Sequence, residues 1–205
     1  MRRLYGKRVI EMTRVMVLAS VGMLGCASAF GADVPATSSD WKAMLPMVQL
    51  AVRHQFPKVA AQAHYPASIK KTADLDQGVS VALVDLGTGG YTEDLTVMRL
   101  EGATPVAARF RQMDDKISPM VFESGVSEDK GEAVELVAKD HVVFAGHWET
   151  KGKKMKCGGE AYQWDNTAKN FGYEKKLTKT MSREFCQNVQ AKAGQPVVAA
   201  PNSEK

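Results

Sequence analysis

The chain has 205 residues and a formal net charge of +4, but residues 1–29 hold five Lys/Arg against one Asp/Glu and the rest holds 22 of each sign. The body is therefore neutral. It lacks the basic excess that neutralises phosphates, so a nucleic-acid partner loses its main compositional argument and none is expected, and its length suits one domain with a real core.

Residues 1–14 are basic, Val15–Leu24 is an uncharged apolar run, and Ala27-Ser28-Ala29 supplies small residues at a cut site. Basic, apolar, small is the order of a secretory signal peptide. The apolar run is shorter than the ~20 residues a membrane span needs. Cleavage after Ala29 predicts an exported protein, periplasmic or secreted. Met12 is an alternative start, and Arg2-Arg3 makes only a loose twin-arginine match because Gly6 stands where that pattern wants an apolar residue. Cleavage before Cys26 would give a lipoprotein anchored there, although Leu24 is bulky for that signal. No later segment is long and apolar enough to span a bilayer.

Residues 30–40 read as a linker, followed by a single β-rich domain over 41–192 and a Pro/Ala-rich tail over 193–205. Ser39 or Asp40 is placed to cap a helix running to Phe56, with Trp41, Leu45, Val48 and Val52 on one stripe. Pro46 should kink it and Pro57 stop it. Residues 58–78 read as an irregular connection. From Val79 the apolar period changes to two. Strands are predicted at 79–85, 93–100, 105–111, 117–123, 133–138, 141–149, 154–164 and 171–174, with an acidic loop at 124–131 and a hairpin around Lys139-Asp140. Ser182 can cap a closing helix that turns Phe185, Cys186 and Val189 inward. The class is α+β and mainly β: an antiparallel meander of about seven or eight strands between an N-terminal and a C-terminal helix.

Once Cys26 leaves with the leader, Cys157 and Cys186 remain. In an oxidising compartment they predict one disulfide, closing a loop worth roughly 3.5 kcal/mol, against the alternative of two free buried thiols. No close Cys-x-x-Cys pair or neighbouring His suggests zinc.

The run Val84–Gly90 through Leu95–Leu100, with Cys157–Trp164 and Arg183–Cys186, resembles a group of exported bacterial proteins over most of residues 80–187; no chemistry is assigned to that group, so the resemblance implies no catalytic residue. Tyr162-Gln163-Trp164 with Phe171-Gly172-Tyr173 is similar to a β-propeller blade edge, in a chain too short for a full propeller.

No catalytic residue, metal ligand or cofactor is assigned. Asp74–Gly78 starts like a calcium loop, but Gln77 and Gly78 interrupt the carboxylates. Gly87–Gly90 follows a strand yet leads into another and lacks the Gly-Lys-Ser/Thr of a phosphate loop. His141 and His147 would share a strand face about 20 Å apart, too far for one ion; His54 and His64 show no pairing. Glu93-Asp94 and Glu123 are candidates for paired carboxylates, with nothing local to make them converge. Residues 72–149 carry 6 basic and 15 acidic side chains, and residues 151–183 carry 9 basic and 3 acidic. Within the basic segment Lys151, Lys153, Lys154 and Lys156 are the densest run. It reads either as a solvated hairpin turn or as a contact for an anionic envelope component or an acidic protein. The expected function is a non-enzymatic exported domain that binds an envelope partner; the alternative is a small periplasmic hydrolase whose acids are dispersed in sequence.

Overall fold

A computed structural model describes residues 40–193, apart from Lys153. The predicted signal peptide with Cys26, the linker up to Ser39 and the tail beyond Ala193 lie outside the described residues, as does Lys153 of the lysine run.

The chain enters through a 3-10 turn at Asp40–Lys42 and helix α1 (Leu45–Gln55), followed by one turn of helix, α2 (Pro57–Ala60). The helix thus starts later than a cap at Ser39 or Asp40 predicts. Pro46 sits in the first turn of α1, where its missing N–H costs nothing, and Pro57 opens α2 for the same reason. Trp41, Val48, Val52 and Phe56 are buried, and the Trp41 indole donates to Ser80 Oγ at 2.9 Å.

Among the described residues eleven strands follow: β1 (Ser68–Asp74), β2 (Ser80–Asp85), β3 (Thr92–Glu101), β4 (Thr104–Ala107), β5 (Arg109–Arg111), β6 (Ile117–Pro119), β7 (Phe122–Val126), β8 (Lys130–Val137), β9 (Val142–Lys151), β10 (Lys154–Asp165) and β11 (Asn170–Tyr173). They form one open mixed sheet in the order β1-β2-β3-β7-β8-β9-β10-β11-β5-β6, with β4 on β3. This corrects the predicted meander of seven or eight antiparallel strands. β11 and β5 pair in parallel. β1 lies inside the stretch expected to be irregular; a bulge between Ile69 and Lys71 breaks its alternation, and the extruded Lys70 reaches Asp85 (3.2 Å) and Glu93 (2.7 Å). The predicted third strand splits at Ala108 because the chain leaves β3 there to join β11. The predicted fourth splits after Pro119, where pairing passes from β5 to β3 and β8. The acidic loop shrinks to the turn between Val126 and Lys130.

Because β4 pairs with β3 and β5 pairs with β11, one short segment touches both arms of the sheet and curls it. Ala108, between them, donates its N–H to Val97 O at 2.8 Å. Inside the curl Leu95, Val97, Phe110, Phe122, Leu136, Val143, Tyr162, Trp164 and Phe171 form the main core. Phe110 stacks on Phe171 (centroids 5.1 Å) and meets Phe122 and Tyr162 edge-on (5.3 Å each). The opposite face of β2 and β3 packs Ala82, Val84, Met98 and Leu100 against α1.

Helix α3 (Lys175–Ala193) is the last described element. It begins seven residues before the predicted cap at Ser182, because the Glu174 carboxylate accepts the Lys176 N–H at 3.0 Å. α3 runs beside β10 where β11 has ended. Thr178 Oγ1 accepts the Ala161 N–H (2.9 Å), Ser182 Oγ donates to Gly159 O (3.3 Å), and Cys186 is disulfide-bonded to Cys157. Four residues of helix rise about 6 Å and two residues of strand about 6.8 Å, so these links recur in step. Leu177, Met181 and Phe185 bury against Val142, Phe144 and Ala161.

Candidate functional site

The register of β8, β9 and β10 builds the site. Glu132 lies opposite His147, and His147 opposite Gly158; Lys130 lies opposite Glu149, and Glu149 opposite Lys156; Val134, Ala145 and Glu160 form the rung above, and Leu136, Val143 and Tyr162 the next. Side chains alternate faces along a strand, so all four rungs project from the concave face. That face runs from apolar core, through a carboxylate–imidazole rung, to lysines, at about 7 Å per rung. Lys151 opposite Lys154 extends the lysine end. Three of the four lysines singled out in the sequence thus join the concave face, together with Lys130.

Two adjoining hollows open there, of about 270 and about 200 Å³, and both are lined by Glu123 and Glu132. The larger adds Tyr91, Gly125, Val126 and Lys130; the smaller adds Phe122, Ala145, His147 and Glu160. Glu123 reaches the site because Gly125 pairs with Glu132. Gly125 sits so close to Tyr91 O that a side chain there would strike it. Tyr91 is 93% exposed and Val126 68% exposed.

Burial, then the charge of Glu123 and a hydrogen bond with it, push the Glu132 carboxyl above its usual range, while Lys130 and His147 pull it back. Beside the pair, the buried Tyr162 hydroxyl donates to Glu160. Burial, then that contact, raises the Tyr162 phenol above its ordinary value. Glu160 is thereby held on the wall of the hollow.

The other sequence candidates fall elsewhere. Glu93 is engaged by Lys70. Asp94 lies opposite Glu123 in the β3–β7 ladder and its N–H is held by Thr88 Oγ1. His141 has a left-handed backbone in the turn before β9, off the strand that carries His147. Asp76–Gly78 is the turn between β1 and β2, and Gly87, Gly89 and Gly90 take positive φ in the turn before β3. Lys151, Lys154 and Lys156 are exposed, and the Thr150 N–H donates to Asp129 O (2.6 Å), which brings the acidic β7–β8 turn against the lysine hairpin. Glu132 escaped the sequence reading. The hairpin around Lys139-Asp140 carried the signal, since counting outward from it puts Glu132 opposite His147.

No family model, curated protein or solved structure matches this chain.

Among the described residues no His, Cys, Asp and Glu group could hold a metal ion, and no helix is long and apolar enough to cross a membrane. What the site offers is two neighbouring carboxyl groups, an imidazole, and flanking lysines on one face.

Proposed function

We propose that this is an exported, non-enzymatic domain that binds a charged component of the cell envelope with the concave face of β8–β10. The observation that carries the reading is the shared face of Lys130, Lys151, Lys154 and Lys156 beside the two hollows. The leader sequence supports export, and a Cys157–Cys186 bond suits an oxidising compartment. A lysine near an anionic surface contributes about 1 kcal/mol at low salt. K151A/K154A/K156A should then weaken binding to anionic envelope fragments by up to about a hundredfold, progressively less as salt rises, with an unchanged melting temperature. Unaltered binding of the triple variant at every salt concentration would overturn the reading.

A second reading has its own observation. Glu123 and Glu132 line the same two hollows, and burial with the charge of Glu123 favours the protonated form of Glu132, the form a hydrolytic acid needs. A small periplasmic hydrolase would turn over one of a panel of peptides, esters and glycosides, and E132Q would abolish that turnover. No turnover of the panel by the native chain counts against it.

A further inference from the structure

We propose that the outward face of α1, with Tyr65 beside it, docks on the surface of an anionic lipid bilayer. This face lies outside the curl, across β2 and β3 from the inner core, so it is a second contact and does not draw on the lysines of β8–β10.

Helix α1 turns Val48 and Val52 onto the sheet and is fixed there by its glutamines. Gln49 Nε2 donates to Ala67 O (3.1 Å), and Gln55 Oε1 accepts the Ala107 N–H (2.6 Å). At about 100° per residue, the opposite side of the helix carries Pro46, Met47, Leu50, Arg53 and His54, and all five are exposed. A surface helix ordinarily places polar side chains there. Here Met47 (45% exposed) and Leu50 (48% exposed) adjoin on one face, and Arg53 and His54 follow them. An isolated exposed Leu calls for no explanation. Apolar side chains backed by cations along one helix face are the pattern of a helix lying in a headgroup layer.

The sign of the surface is an independent observation. No Asp or Glu stands between Asp40 and Asp74, a stretch that holds Lys42, Arg53, Lys58, Lys70 and Lys71 in a chain whose body is neutral. Among the described residues only Lys70 of these five forms an ion pair. Tyr65 lines a hollow with Gln49 and Arg53 and is 67% exposed. It stands on a fixed loop: its N–H donates to Gly87 O (3.0 Å), and its ring lies over Gly89 where a side chain would strike it. A phenol, apolar in body and polar at its tip, suits the bilayer interface. The Met47–Leu50 pair favours a bilayer over a soluble polyanion, which offers nothing to bury it.

The probe is a vesicle of equal parts phosphatidylglycerol and phosphatidylcholine, with pure phosphatidylcholine as control, sedimented with the purified exported chain. The chain should bind the anionic vesicles and not the control. M47Q/L50Q should weaken binding roughly tenfold, the scale of burying two half-exposed side chains. R53Q/K58Q should weaken it by about fivefold for each charge removed, a loss that fades with added salt while that of M47Q/L50Q persists. Gln keeps helix propensity, so both variants should melt as the native chain does, and R53Q/K58Q decides the matter if M47Q/L50Q does not fold. Equal binding to both vesicles, or unaltered binding in R53Q/K58Q, would overturn the proposal. So would self-association of the native chain that M47Q/L50Q abolishes, which would place a second copy on the face. K151A/K154A/K156A should still bind the anionic vesicles. If that variant alone loses them, the bilayer belongs to the concave face and the α1 contact falls; if the α1 variants lose them while the lysine variant binds envelope fragments as before, the α1 contact stands and the concave-face reading falls.

Discussion

Glu132 costs the folded protein stability once it ionises. Burial and Glu123 raise its folded pKa above the unfolded value. The folded state therefore holds this proton to higher pH than the unfolded chain does. That contribution is fully present at acid pH and is lost as pH rises through the carboxylate range. Gln keeps a hydrogen bond to Glu123 without the charge. E132Q is expected to gain roughly 0.5 kcal/mol near pH 7, the scale of a like-charge cross-strand pair. Near pH 3 it should gain nothing, and urea denaturation at the two pH values checks this. The sequence displays Glu123 and His147 as isolated residues, and nothing adjacent in the chain announces their convergence. His147 and Glu132 meet through one hairpin, whose turn at Lys139-Asp140 is readable; Glu123 arrives through the β7–β8 pairing, which spans only Gly125 and Val126 opposite Glu132 and Gly131. A two-pair ladder has no alternation long enough to fix a register from sequence.

At the scale of elements, α3 and β10 are a matched pair. β10 is longer than β11, so its lower edge has no strand partner and is covered by α3 instead. Thr178 makes the substitution literal by accepting the Ala161 N–H that a strand would have accepted. T178A leaves that amide without its partner and is expected to cost about 1–3 kcal/mol, read from chemical denaturation. Replacing Cys157 and Cys186 with Ser releases the far link, where the closed loop contributes roughly 3.5 kcal/mol in the chain-entropy model. Hydrogen exchange should then accelerate first in the C-terminal half of α3. Protection of α3 that matches the native protein would show that burial of Phe185 and Met181 alone holds it. The cysteine pairing and the inward residue Phe185 are legible because each is a property of composition and short spacing. The seven residues before Ser182 are less so. Lys175 and Lys176 oppose the dipole at a helix start, and the cap is a glutamate, an uncommon choice for that position.

Among the described residues three apolar clusters share one sheet. β2 buries Val81 and Leu83 on the inside of the curl and Ala82 and Val84 against α1, so one strand belongs to two cores. β9 does the same with Val143 inside and Val142 and Phe144 under α3. Strands buried on both faces lose the alternation that tells the inner face from the outer, so most strands from Val79 onward were legible while the curl was not, and β1, broken by its bulge, was not legible either. Its closure depends on Ala108 and on a three-residue strand, β5, whose central Phe110 is fully buried among Phe122, Tyr162 and Phe171. Truncating Phe110 removes the ring where the two arms meet. F110A is expected to cost about 3–5 kcal/mol, the range for a buried Phe→Ala cavity. Shared strands also predict that the loss is felt everywhere at once. Trp164 lines the inner core and Trp41 the helix-side core. Two variants, each retaining one of these tryptophans and with Phe in place of the others, should report coincident unfolding midpoints, in the F110A background as in the native one. Separation of the Trp41 and Trp164 transitions in F110A would mean that the α1 cluster stands without the curl and that β2 does not couple the two.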